Sequence, residues 1–315
     1  MDAAYLTHPL ARLHEMGPDH PECPERVEAI ERGLERAGLL ARMTARIAEP
    51  LPAMLPTAIR RAHSERLLAM LAATAPEAGY AVIDGDTRMN AHSWPAALAA
   101  AGTVVHAVDL VLGGSVNRAF CNVRPPGHHA ERDTAMGFCL LNNAAIGVLH
   151  AIHQYGLERV ALIDFDVHHG NGSEDILTEA MEAGRILMVS TFQHPLYPGS
   201  GVRPLASRNC LNVPLAASSD GSALRAVVAE QWLPALEAFR PQLLVISAGF
   251  DAHRADPLGG LRWTEEDFRW LTSQLVEVAN RHAAGRIIST LEGGYDLTAL
   301  AASACAHVEA LLSSA

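Results

Sequence analysis

The sequence predicts a single α/β domain: a central, mostly parallel sheet with helices on both faces and an active site at the C-terminal ends of the strands. Three observations predict it. From about residue 119 onward, short β-branched or aliphatic runs alternate with longer amphipathic segments, the signature of repeated βα units. No repeat, low-complexity tract or Gly/Ser linker divides the 315 residues. Four clusters of chemistry-bearing residues each follow the end of a predicted strand, the edge at which open parallel sheets bind ligands.

In chain order, the first hundred residues read as mostly helical and loop-rich, with helices over 24–37 and 95–112. AFCNV at 119–123 is the first strand, and a helix follows over 142–154. RVALIDF at 159–165 and RILMVST at 185–191 supply two more strands. A helix over 221–239, with Asp220 as N-cap, leads to the strand QLLVISA at 242–248. The helix over 264–284 starts at an N-cap Thr264, and Glu265, Glu266 and Asp267 in its first turn complement its dipole. RIISTL at 286–291 and a helix over 298–313 complete the chain.

Composition narrows the function. With 49% apolar and 19% charged residues the chain is ordinary globular material. No stretch approaches the roughly 20 uninterrupted apolar residues of a membrane helix, and no basic-then-apolar leader opens the chain. A cytoplasmic protein with no membrane partner is expected. The five cysteines are scattered and never form a C-x-x-C pair, so neither a disulfide framework nor a thiolate zinc cage is suggested. A net charge of −11 has the wrong sign for phosphate neutralisation, so no nucleic-acid partner is expected, and a cationic substrate would be mildly attracted. Every basic residue is arginine, which excludes Schiff-base and P-loop lysine chemistry.

The clusters carry the chemistry. Asp166 and His168, two apart in a segment read as extended, send their side chains to one side while Val167 points into the core. With Asp251 from another strand end they make a site of one imidazole and two carboxylates, suited to catalytic zinc and tolerant of iron, cobalt or manganese. His128 and His129, after a Pro-Pro-Gly turn, are better used as proton carriers, because further ligands would close the open position. Asp164 can hold one of these imidazoles in its required tautomer. Tyr295, after Gly293 and Gly294, can donate to the oxygen of a tetrahedral intermediate. Read singly, the aspartates would be turn formers, the histidine pair a buried turn and the tyrosine a packing residue.

RPPGHHA, GFCLLNNAAIG, DFDVHHGNG, SAGFDAHRADPLGG and LEGGYDL together resemble the zinc-dependent histone deacetylase family, in its class II and bacterial amidohydrolase branch, over nearly the whole chain. The resemblance implies an arginase/deacetylase-like fold and hydrolysis of acetylated lysine. By it, Asp166, His168 and Asp251 bind zinc, His129 is general base and then acid, and His128 paired with Asp164 gives electrostatic support. Tyr295 polarises the acetyl carbonyl. Phe138 and Tyr197 wall the acyl-lysine tunnel, Gly137 lies near the substrate amide, Leu258 at the rim and Arg26 near the pocket floor. Potassium is implied at Asp164, Asp166, His168, Ser190 and Thr191, and Asn171 stands where class I enzymes carry an aspartate. Three rivals remain: an acetylpolyamine amidohydrolase, for which Glu22 or Asp86 would have to supply a rim carboxylate, a catalytically silent acyl-lysine binding module, and a manganese ureohydrolase. The silent module is disfavoured by the complete set of catalytic residues, and the ureohydrolase by the lack of a second set of bridging carboxylates.

Overall fold

The computed structural model describes residues 3–49, 51–202 and 209–313. The first part of the chain runs β1 (Ala3–Thr7), α1 (Glu25–Arg36), β2 (Thr44–Ile47), α2 (Leu55–Ala62), α3 (Glu65–Thr74), β3 (Ala81–Val82), β4 (Arg88–Met89) and α4 (Ser93–Leu112). It continues with β5 (Arg118–Cys121), α5 (Asn143–Tyr155), β6 (Val160–Asp164), α6 (Asn171–Glu182), β7 (Ile186–Gln193) and β8 (Cys210–Leu215). The last part holds α7 (Gly221–Val227), α8 (Leu233–Phe239), β9 (Leu243–Ala248), α9 (Glu265–His282), β10 (Ile287–Leu291) and α10 (Leu297–Leu311).

Eight strands form one sheet in the order β2-β1-β5-β10-β9-β6-β7-β8, with every neighbouring pair parallel. Side-chain alternation sorts the strands between two cores. Ala119, Leu162, Val245 and Ile288 pack toward α2, α4, α5 and α6. Phe120, Ile163, Ile246 and Ile287 pack toward α1, α9 and α10. Helices therefore cover both faces, as the pattern requires.

The five expected strands all form, and five were not expected: β1, β2 and β8 toward the ends of the large sheet, and the short antiparallel pair β3-β4. β1 is short and alanine-rich, and β2 is exposed along its length, so neither carries the β-branched apolar run that marks a buried strand. β8 contains Pro214, which an outermost strand tolerates because one row of its peptide groups needs no ladder partner. Asp220 and Thr264 cap as expected, Asp220 accepting from the Ser222 N–H and Thr264 forming a capping box with Asp267. The predicted helix over 221–239 is one run interrupted by a π-helical turn over Val228–Trp232. Pro234 follows directly, and the widened turn relieves the clash of its ring with the preceding turn.

α4 qualifies the membrane argument. Its 20 residues, though interrupted by Thr103, His106 and Asp109, contain an 18-residue window of mean hydropathy 1.6, long and apolar enough for a membrane span, yet 67% of that window is buried inside the fold. The small residues allow close packing: a Cβ on Gly147 of α5 would meet Val104 of α4 at 2.7 Å.

Candidate active site

β6 ends at Asp164, flanked in register by Ser190 of β7 and Ser247 of β9, and the loops beyond these strand ends build the site. The chain bends after Phe165 rather than continuing extended, which corrects the strand-face argument for Asp166 and His168. They converge through a turn in which Asp166 Oδ1 accepts the His168 N–H at 2.8 Å. Val167 is buried in the core as expected.

One ligand atom from each of Asp166, His168 and Asp251 lies within 4.8 Å of the others, and all three residues are buried. His168 Nδ1 stands 3.0 Å from Asp166 Oδ1 and 3.2 Å from Asp251 Oδ2. The other carboxylate oxygens are held by backbone: Asp166 Oδ2 accepts from Gly293 N–H at 2.8 Å and Asp251 Oδ1 from Val167 N–H at 2.9 Å. Asp251 Oδ2 is buried and takes no hydrogen bond. A Cβ on Gly249 would fall 2.0 Å from Asp166 Oδ2, and one on Gly293 1.9 Å from Asp251 Oδ2, so only glycine leaves these oxygens room. Burial opposes charge on His168, but Asp166 and Asp251 raise its pKa to about 10. Two buried carboxylates converging on one imidazole, with one of their oxygens taking no hydrogen bond, fit a divalent cation.

The histidine loop is fixed by Glu292, whose Oε2 accepts the Gly127 and His128 N–H groups at 2.6 and 3.0 Å. His128 Nδ1 meets Asp164 Oδ2 at 3.0 Å, and His129 Nδ1 meets Asn171 Oδ1 at 2.7 Å. Asn171 gives its amide N–H to Glu131 at 2.7 Å, so its oxygen faces the histidine, Nδ1 carries the proton, and Nε2 of His129 is the acceptor. Burial disfavours charge on both rings. On His128 the Asp166 and Asp164 carboxylates prevail and hold the pKa well above its ordinary value. On His129 the neighbouring His128 and His168 rings reinforce burial and push it well below. The two histidines, adjacent in sequence, are thus separated into a cation and a neutral base.

Tyr295 lies across the floor. Burial, with Asp251 and Asp166 nearby, pushes its phenol well above the ordinary range despite the Arg26 guanidinium 4.9 Å over its ring, so it stays a neutral donor. Above it a cavity of about 210 Å³ is lined by His129, Gly137, Phe138, His168, Leu196, Tyr197, Leu258 and Asp86. His129 and Tyr197 stand edge to face at 5.1 Å, and Phe138 and Tyr295 at 5.8 Å. Gly137 and Phe138 both have positive φ (56° and 67°), which turns the loop so that Phe138 faces the cavity. Asp86 reaches the mouth, whereas Glu22 is fully buried, bound by Arg124 and Arg26.

Arg26 sits under the site, donating to the Gly294 carbonyl at 2.7 Å and the Glu292 carbonyl at 2.5 Å. Ser190 Oγ is buried and takes part in no hydrogen bond, directly opposite Asp164 at the end of β6. The Thr191 hydroxyl donates to the Val213 carbonyl at 2.9 Å, which orients its oxygen lone pairs. Sequence reasoning gave no role to Glu292 or Asp256. Both lie inside quoted motifs, but the contacts that tie them to the histidine loop and to Tyr295 span 164 or 165 and 39 residues.

A parallel sheet whose strand ends gather these groups beneath a narrow cavity defines an amidohydrolase. The chain belongs to the histone deacetylase family, whose domain profile matches residues 20–311. It is 39% identical over 301 residues to an uncharacterized protein of Synechocystis, covering 95% of this chain and 96% of that one. It is 36% identical over 282 residues to a histone deacetylase-like amidohydrolase of Pseudomonas aeruginosa, covering 88% and 72%. The crystal structure of the HDA15 HD domain superposes with a TM-score of 0.90 at 33% identity, covering 99% of this chain and 88% of that one. The expected fold, family and enzyme class are therefore correct.

Proposed function

We propose that this chain is a zinc-dependent deacetylase that hydrolyses the amide of N-acyl-lysine side chains. The observation that carries the reading is the meeting of a histidine whose pKa is pushed well below its ordinary value, a phenol pushed well above its own, and two buried carboxylates converging on one imidazole. Asp166, His168 and Asp251 would hold the ion. When bound there, zinc polarises the acyl carbonyl and lowers the pKa of a water toward about 7, and iron or cobalt suits the same donors. His129, open at Nε2, takes the proton as water adds to the carbonyl carbon and returns it to the amine as the C–N bond breaks. His128, held cationic on Asp164, stabilises the negative charge that develops, and Tyr295 donates to the oxyanion. Phe138 and Tyr197 flank the lysine stem, with Gly137 beside its amide and Leu258 at the rim. Potassium would sit by Asp164 and Ser190, where it would offset the buried carboxylate.

A second reading has one observation in its favour: Asp86 puts a carboxylate at the mouth, which would attract the free ammonium of an acetylated polyamine. A turnover panel of acetyl-lysine peptides, longer acyl-lysines and acetylated polyamines on zinc-loaded protein tests both. Acetyl-lysine peptides should be turned over best, and Asp251→Ala should lose metal and activity together. Preferred turnover of polyamines would replace the first reading with the second, and full metal content in Asp251→Ala would remove the metal assignment.

A further inference from the structure

Tyr295 stands on an intrinsically soft stretch of chain. It follows two glycines, and Gly294 has φ of +120°, a conformation that side-chain-bearing residues rarely adopt. Something must hold the phenol over the metal site, because a displacement of about 1 Å in a catalytic group costs on the order of 10²-fold in rate.

The peptides around it are held one by one. The Gly293 N–H goes to Asp166 and its carbonyl accepts from Phe250 N–H at 2.9 Å. The Gly294 carbonyl accepts from Arg26. The Asp296 side chain is committed to capping α10 at the Ala299 N–H. The tyrosine's own N–H is bound by the Asp256 carboxylate, Oδ2 accepting it at 2.6 Å and the Asp296 N–H at 3.4 Å. The other oxygen, Oδ1, accepts the Leu258 N–H at 2.9 Å. One carboxylate thus ties the tyrosine's peptide to the loop that runs from Asp251 to the cavity mouth. Asp256 is only 7% exposed, and among the described residues its carboxyl is held by backbone N–H groups rather than by an arginine.

We propose that Asp256 is a positioning residue for catalysis: its carboxylate holds the Tyr295 peptide and thereby sets where the phenol meets the substrate carbonyl. This rests on the role given above to Tyr295. An amide offers one acceptor oxygen where the carboxylate uses two, so Asp256→Asn must turn an NH₂ group against either the Tyr295 or the Leu258 N–H.

The test is a double-mutant cycle on the zinc-loaded enzyme with Tyr295→Phe, Asp256→Asn and the double variant, reading kcat, KM and zinc per chain. A residue acting through the phenol lowers kcat by at least about 10-fold in the wild-type background with KM little moved, and by no more than about 2-fold in the Tyr295→Phe background. Zinc content stays at the wild-type level in all three. Equal losses in both backgrounds, or loss of zinc, overturn the proposal, since Asp256 would then act through general stability or through Asp251. Near wild-type kcat in Tyr295→Phe instead removes the reading of the tyrosine itself. Should Asp256→Asn fail to fold, the cycle is run with Asp256→Glu, which keeps the carboxyl group and moves the acceptor, with the same outcomes expected.

Discussion

Gly137→Ala is the most economical way to move the proposed base without touching it. A Cβ at position 137 would lie 2.6 Å from His129 Cδ2, 2.9 Å from its Cγ and 3.0 Å from Tyr197 Cε1. Carbon pairs settle at about 3.5 Å or beyond, so the imidazole must retreat by roughly 0.9 Å. It has little freedom to do so, because Nδ1 is tied to Asn171 at 2.7 Å and the ring lies 4.0 Å from His128. The backbone adds about 1–2 kcal/mol, since φ is +56° and alanine resists the left-handed region. The expected result is a loss of on the order of 10²-fold in kcat/KM on an acetyl-lysine peptide, with a melting temperature only a few degrees lower. Gly156→Ala is the control: φ is +68° with nothing within 4 Å of its Cβ, so it should show the same backbone cost with unchanged kcat. Wild-type turnover in Gly137→Ala, or equal turnover losses in the two variants, would refute the claim that the position of His129 limits the reaction.

Hydroxamates should inhibit, since their bidentate, metal-binding head can occupy the water and carbonyl positions while the stem fills the 210 Å³ cavity; a titration against deacetylase activity showing no effect far above the enzyme concentration would count against both features. Zinc uptake near neutral pH should release about one proton per chain, because His168 is held protonated up to about 10 and must lose that proton to ligate, as calorimetry in buffers of different ionisation enthalpy would register. Gly249→Ala should lower zinc content sharply by displacing Asp166, measured by metal analysis on folded protein. Acid should destabilise the fold through two buried histidines held neutral, His63 at about 4, where Nε2 accepts the Asn142 N–H, and His307 at about 3. Their folded pKa values are depressed, so only the unfolded chain takes these protons below about 6.5. Their contribution, several kcal/mol in all, is complete above that pH and lost as pH falls through 6.5 toward 4 and 3. Flat melting temperatures between pH 7 and 5 would contradict this.

The interior strands were readable because β6, β9 and β10 are buried on both faces and so appear as unbroken apolar runs. β2, β8 and α6 were not readable, since an exposed edge strand needs no apolar pattern and α6 begins inside the DFDVHHGNG loop. Glu22 and Asp86 were indistinguishable as rim candidates in sequence. The structure separates them completely, burying the first against Arg26 and Arg124 and leaving the second at the mouth.

Donor identity and local periodicity are properties of the chain itself, and they were enough to settle the fold class and to nominate His128, His129, Asp166, His168, Asp251 and Tyr295. The protonation state of each group was not available from them. His128 and His129 are neighbours of one residue type, and nothing in RPPGHHA says which is charged. That is decided by Asp164, 36 residues on, which supports a cation, and by Asn171, 42 residues on, which supplies a neutral acceptor. The same holds for the Asp251 oxygen that faces His168 and the carboxylate that Asp256 lends to Tyr295. Electrostatic energies and hydrogen bonds depend on separations of a few ångströms between segments far apart in sequence, and only the folded sheet brings those segments together.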